Sequence, residues 1–119
     1  MNQEQAIECS AAMAQETRIA ALRLLVRHSP EGLRVGEIAR QLDIVPSTLS
    51  GHLNVLKRSG LVNPKRKQRE IIYSVNLDTI NKLMLFILEE CCDGNIGSCE
   101  KTFRPFLRNL ETLSVDDRP

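Results

Sequence analysis

Apolar positions recur at helical spacing along most of the chain and at strand spacing in one stretch only. Residues 3–14 mix small and apolar side chains (Ala6, Ile7, Ala11, Ala12 and Met13), as a helix does. In 16–28 the stripe Ile19, Leu22, Val26, widened by Leu25, predicts a second helix, which stops before the turn sequence Ser29-Pro30-Glu31-Gly32. Val35–Leu42 resumes the helical period briefly, with Ile38, Ala39 and Leu42 inward, and Asp43 to Pro46 breaks it. Pro46 suits a first helical turn, and Ser47 or Thr48 is expected to cap the helix that follows. That helix runs to about Lys57 or Arg58 on Leu49, Leu53 and Leu56, and Gly60 closes it in a C-cap position.

The period then changes. Leu61-Val62 begins a strand, Lys65 to Arg69 forms a polar connector, and Ile71 to Val75 is a second strand, together a β-hairpin with a basic tip. Asn76 is placed to cap a further helix through about Glu90. Its run Leu83-Met84-Leu85-Phe86-Ile87-Leu88 is apolar all round, so it must be covered on more than one side. A 119-residue chain supplies little surface for that, which predicts a dimer interface joined by Ala6 and Met13 of the first helix. Beyond Cys99, the residues Phe103, Phe106, Leu107, Leu110 and Leu113 recur at helical spacing, with Pro105 near that helix's first turn. The expected architecture is mainly α with a β-hairpin wing. Residues 1–92 form one domain and 93–119 a C-terminal extension with a loop and a short helix.

Composition narrows the function. Three Phe, one Tyr and no Trp argue against stacking platforms for single strands. No apolar run is long enough to span a bilayer, and the polar start MNQEQAIECS lacks a signal-peptide core, so a cytoplasmic protein without membrane partners is expected. Thiols stay reduced there, and the four Cys read as ligands, sensors or buried thiols rather than a disulfide framework. No nucleophile–base pair or phosphate loop is visible, which excludes an enzyme and gives no reason for an organic cofactor. The net charge of +1 is unevenly spread. Residues 1–43 carry five basic and six acidic side chains, residues 44–75 six basic and one acidic, and residues 76–119 five basic and eight acidic. A basic segment between acidic flanks is an electrostatic footprint for nucleic acid.

That segment has the order of a DNA reader: short helix, tight turn and helix at 35–58, then the basic hairpin. In a helix-turn-helix the second helix enters the major groove with its N-terminal residues at the base edges. Here these are Ser47, Thr48, Ser50, Gly51, His52 and Asn54, while Lys57 and Arg58 suit phosphates, as do Lys65, Arg66, Lys67 and Arg69 of the wing. Singly, each is as well read as a helix cap, a surface histidine or a solvated charge run. Their coincidence in order and spacing favours double-stranded DNA.

PSTLSGHLNVLKRSGLV at 46–62, followed by KRKQREIIYSV, resembles the recognition helix and wing of the ArsR/SmtB family of metal-sensing repressors. The resemblance spans roughly residues 15–92. Gly51 departs from it, since the family usually has a bulky or aromatic residue there. The resemblance implies a homodimeric winged helix-turn-helix repressor, dimerised through its first and last core helices. It would bind an imperfect inverted repeat as operator and leave DNA when an inducer binds.

Two inducer sites of that family are absent. VGEIARQL on the first helix of the motif has no Cys, and 77–90 contains Asp78 but no His. What remains is Cys91-Cys92-Asp93-Gly94-Asn95-Ile96-Gly97-Ser98-Cys99, in which two Gly let Cys99 fold back toward the pair. Three thiolates with no His suit a soft thiophilic ion, and As(III) or Sb(III) takes three sulfurs in a pyramid. Glu89, Glu90 and Asp93 would also attract a divalent cation, so Zn²⁺, Cd²⁺ and Pb²⁺ remain open on charge. The pattern resembles a subgroup of arsenic-responsive repressors with a C-terminal Cys pair and a third Cys nearby, which implies Cys91, Cys92 and Cys99 as ligands. Cys9, alone on an Ala-rich helix, reads as core or interface filler. His28 and His52 have no partner at metal-site spacing. Two alternatives stand beside this expectation: a thiol redox or persulfide sensor of the same fold, and a protein-interaction module built on structural Zn²⁺.

Overall fold

The computed structural model describes residues 1–91 and positions 104, 105, 108 and 109, with 90 and 91 described by their backbone. Five helices and three strands follow in the order α1 (Gln3–Met13), α2 (Glu16–Arg27), β1 (Leu33–Arg34), α3 (Val35–Leu42), α4 (Pro46–Arg58), β2 (Val62–Lys67), β3 (Glu70–Val75) and α5 (Leu77–Cys91). The chain divides into two units, Met1–Met84 and Leu85–Pro119, so the division falls within α5. Of the expected terminal helix, positions 104, 105, 108 and 109 are helical and exposed.

Local chemistry sets each boundary. Asn2 and Gln5 form a reciprocal capping box at the start of α1, each side chain bonded to the other's backbone N–H. The Gln15 side chain caps α2 by accepting from Arg18 N–H. Asp43 ends α3 in the left-handed region, at φ 54°. Ser47 and Thr48 do not cap α4, contrary to expectation. Pro46 occupies the first helical position and the N-cap is Val45, which leaves both hydroxyls inside the first turn. At the other end Gly60 adopts φ 86°, its N–H bonds to the Lys57 carbonyl and the Leu61 N–H to that of Leu56, a Schellman motif. Asn76 caps α5 as expected, its side-chain oxygen accepting from Thr79 N–H.

The sheet has the antiparallel order β1-β3-β2. The hairpin turn is tighter than the sequence indicates. Lys67 pairs with Glu70, and Gln68 turns the chain at φ 59°, so Lys65, Arg66 and Lys67 lie on β2 rather than on a loop. Pro64 sits opposite Tyr73 on this outer strand. The pairing of β1 with β3, Leu33 to Tyr73 and Arg34 to Ile72, has no counterpart in the sequence pattern.

The core of the first unit is aliphatic. Ala21, Leu22, Leu24 and Leu25 of α2 meet Ile38 and Ala39 of α3 and Leu49, Leu53 and Leu56 of α4, closed by Leu61, Val62 and Val75. Cys9 is buried on α1, as its Ala-rich surroundings indicate. Ala6 is buried as well, while Ile7 is the large apolar residue of α1 left exposed, at 59%. On α5, Leu83 is buried while Leu77, Met84, Leu85 and Ile87 stay exposed.

Candidate nucleic-acid interface

Helix α4 has two faces. Leu49, Leu53 and Leu56 anchor one in the core, and on the other Ser47, Thr48, Ser50, Gly51, Asn54, Lys57 and Arg58 are all exposed. The spacing of the leucines produces this split, because residues three and four apart share a helix face. The segment Asp43-Ile44-Val45 joins α3 to α4, with Ile44 N–H bonded back to the Ala39 carbonyl at 3.0 Å. It leaves Val45, the N-cap of α4, 63% exposed beside the polar residues of the first turn.

A cleft of about 1420 Å³ runs between the N-terminal end of α3 and the wing. It is lined by Gly36 and Glu37 of α3, Ser50 of α4, and Lys65, Lys67 and Arg69 of the wing. The structure therefore brings one residue of the expected reading helix and three of the four wing cations to one concave surface. Arg66 is exposed, with Nε donating to the Gln68 carbonyl at 3.4 Å. Arg34 also lines the cleft and is bridged to Glu70, Nε to Oε2 at 3.2 Å. Sequence reasoning missed Arg34, because a two-residue strand is too short to show a period. It missed Val45 as well, whose only signal was its place just before Pro46.

Three acidic groups, Glu31, Glu37 and Glu70, line the cleft and temper its positive surface. Glu70 is paired with Arg34. Glu37 accepts from Arg40 and Gln41, which holds its carboxyl down to about 2, so it stays ionised and neutralises Arg40. The free positive charge of the cleft therefore lies on the wing.

His52 behaves differently from its neighbours on α4. It is half-buried, and its Nδ1 lies 3.3 Å from an Arg18 guanidinium nitrogen. His28 ends α2 and is exposed. No group of three or more His, Cys, Asp and Glu able to hold a metal is found among the described residues. Cys92 and Cys99 lie outside those residues and Cys91 is described by its backbone alone. The thiol of Cys9 donates to the Ser59 carbonyl at 3.4 Å, and burial, with Glu8 adding to it, pushes that thiol up from its ordinary range. No helix among the described residues is long and apolar enough to cross a membrane.

Comparison with known proteins agrees with this geometry. Residues 13–64, from the end of α1 into β2, match the family described as "Helix-turn-helix domain". The chain is 30% identical over 94 residues to the transcriptional activator HlyU of Vibrio cholerae, covering 79% of this chain and 84% of HlyU. The solved structure of reduced HlyU superposes with a TM-score of 0.59 at 30% identity, over 76% of this chain and 90% of that one. The transcriptional repressor SdpR of Bacillus subtilis is 36% identical over 59 residues, 46% of this chain and 66% of SdpR. A solved protein described as a possible transcriptional regulator for arsenical resistance is similar at 28% identity and a TM-score of 0.58, covering 67% of this chain and 79% of that one.

Proposed function

The chain belongs to the ArsR/HlyU family of winged helix-turn-helix transcriptional regulators, and from that premise we propose a homodimeric repressor that As(III) or Sb(III) releases from its operator. It is a DNA-binding regulator and not an enzyme. The observation that carries the site assignment is the cleft shared by Ser50 of α4 and Lys65, Lys67 and Arg69 of the wing. One duplex lying in that cleft would meet α4 in its major groove and the wing on its backbone. Ser47, Thr48, Ser50, Gly51 and Asn54 then stand at base edges. Lys57, Arg58, Lys65, Arg66, Lys67 and Arg69 stand at phosphates, positioning the protein without reading sequence.

The dimer is assigned to the first and last core helices, and within the first unit Ile7 on α1 and Met84 on α5 are exposed apolar side chains. Two copies related by a twofold axis present two recognition helices, which is why the operator is expected to be an imperfect inverted repeat. Repression has support in the likeness to SdpR, and HlyU carries the name of an activator, so the sign of regulation is part of the proposal. The regulator acts in the cytoplasm, where the reduced thiols of Cys91, Cys92 and Cys99 take the metalloid.

The inducer reading is supported by three Cys without a His in the sequence stretch 91–99, a donor set for soft thiophilic ions, and by the likeness to the possible arsenical-resistance regulator. Metalloid binding releases DNA only if the three-sulfur centre favours a conformation that holds DNA less well. A second reading, redox sensing, draws on the structure of HlyU in a reduced form. It would fall to the same three Cys, because the buried thiol of Cys9 is poorly disposed to ionise. Family membership displaces the zinc-stabilised interaction module.

The test is anisotropy of a labelled duplex from the chain's own upstream region, titrated in parallel with As(III), Sb(III), Cd²⁺, Zn²⁺ and a mild oxidant. Release by As(III) and Sb(III) alone is the expected outcome. Release by the oxidant alone supports the redox reading, and indifference to all five overturns both.

A further inference from the structure

We infer that Arg18 is a positioning residue for DNA recognition, coupling the end of α1 to the recognition helix α4 through His52, and that His52 orients α4 rather than reading bases. This rests on the DNA-binding reading above and changes the role of one residue within it.

The geometry is that of one planar fork with contacts on two helices. Arg18 Nε donates to the Ala12 carbonyl at 2.6 Å, and one terminal nitrogen donates to the Ala11 carbonyl at 3.4 Å. The other terminal nitrogen lies 3.3 Å from His52 Nδ1. Guanidinium has no acceptor, so Nδ1 accepts, and the imidazole proton sits on Nε2. Ala11 and Ala12 belong to the last turn of α1; the Ala11 carbonyl also accepts from Ala14 N–H, and Arg18, from the next helix, caps the Ala12 carbonyl and adds a second donor at Ala11. Arg18 has no carboxylate partner among the described residues, so these neutral acceptors are what fix it. Its own N–H is held by the Gln15 side chain, which settles where on α2 the fork begins.

A second tie joins the same two helices. Cys9 Sγ donates to the carbonyl of Ser59, the C-cap of α4. Thus α1 holds α4 near its middle, at His52, and at its C-terminal end, at Ser59. Two points fix a rod's direction where one would let it pivot. His52 stands between the exposed Ser50 and Asn54, so any rotation it resists is a displacement of those side chains relative to bases. With Nδ1 engaged by Arg18, His52 keeps a single ring group, Nε2–H, and its ring orientation is set by the fork.

The experiment is a double-mutant cycle on DNA affinity, using the full chain and a duplex from its own upstream region mapped by footprinting, with a random-sequence duplex as reference. Arg18→Met and His52→Ala are each expected to weaken specific binding about tenfold, and the double variant about tenfold as well, because each breaks the same link. Random-duplex affinity should stay within about twofold of the parent, since the phosphate-binding cations are untouched. Additive losses, about a hundredfold in the double variant, would overturn the assignment by showing that His52 contributes independently. If Arg18→Met does not fold, His52→Asn decides. Its amide oxygen can accept where Nδ1 did, so it should restore specific affinity that His52→Ala loses. An Asn variant as weak as the Ala variant overturns the proposal. A parent chain that prefers no mapped duplex over random sequence overturns the site reading instead, and this assignment with it.

Discussion

A methyl group on Gly32 would sit 2.2 Å from the carbonyl oxygen of Tyr73. Gly32 also adopts φ +82°, a region that side-chain-bearing residues enter at a cost of about 1–2 kcal/mol. Leu33, the next residue, pairs with Tyr73, so the closeness is what docks β1 on β3. Gly32→Ala is expected to destabilise the fold by more than about 2 kcal/mol, the strain and the backbone clash adding. Urea unfolding measures it, and an unchanged midpoint would mean that β1 can leave β3 freely.

Gly51 is the opposite case. Nothing lies within 4 Å of a Cβ placed there, and it occupies the interior of α4. Gly51→Ala should therefore raise stability by about 0.8–1 kcal/mol through helix propensity. Specific DNA affinity should fall if α4 packs its backbone against the groove. A stability gain with unchanged affinity would remove Gly51 from the interface.

Replacing Lys65 and Arg66 together by Ala should weaken binding to all duplexes and lower the log–log salt slope by about one unit for each phosphate left without its cation. Affinity measured across a series of salt concentrations reads this directly. An unchanged slope would exclude both residues from the phosphate backbone.

Ser50→Ala combined with Asn54→Ala should reduce discrimination between operator and random duplex by about 1–3 kcal/mol if either side chain reaches a base edge. Equal losses on both duplexes would make them positioning residues.

Cys91→Ser, Cys92→Ser and Cys99→Ser should each still hold DNA and lose release by As(III), because a pyramidal centre needs all three sulfurs. Cys99→Ser keeps the adjacent pair, which can still chelate a trivalent monoorganoarsenical whose carbon fills the third bond. Cys9→Ser should respond like the parent, since its thiol is committed to Ser59. Anisotropy titration checks all four, and normal As(III) release by Cys91→Ser or Cys92→Ser would dismiss the site.

What the sequence disclosed depended on how local each signal was. Leu49, Leu53 and Leu56 defined α4 and its buried face because that stripe is a property of one segment. Asn76 was recognisable as a cap for the same reason. Ser47 and Thr48 misled because Pro46 takes the first helical position and makes Val45 the N-cap, two residues before Ser47, which leaves both hydroxyls inside the first turn. The pairing of Leu33 with Tyr73 joins positions far apart in a strand of two residues, which no periodicity can encode. Arg18 carries no local signal in the sequence; its contacts are with Ala11, Ala12 and His52, which packing brings to it. The expected ligands Cys92 and Cys99 lie outside the described residues, so that site rests on composition and resemblance.

Pro64 has a further consequence. It stands on the outer strand of the sheet and has no N–H to offer a neighbouring strand, and the next three residues are Lys65, Arg66 and Lys67. An open strand edge is a template for self-association, and a missing donor followed by three like charges blunts it. A second wing approaching edge to edge would be repelled by the same cations that draw in a polyanion. The wing can thus remain unpaired and extended at cellular protein concentrations, protected from aggregation by the chemistry that equips it for nucleic acid.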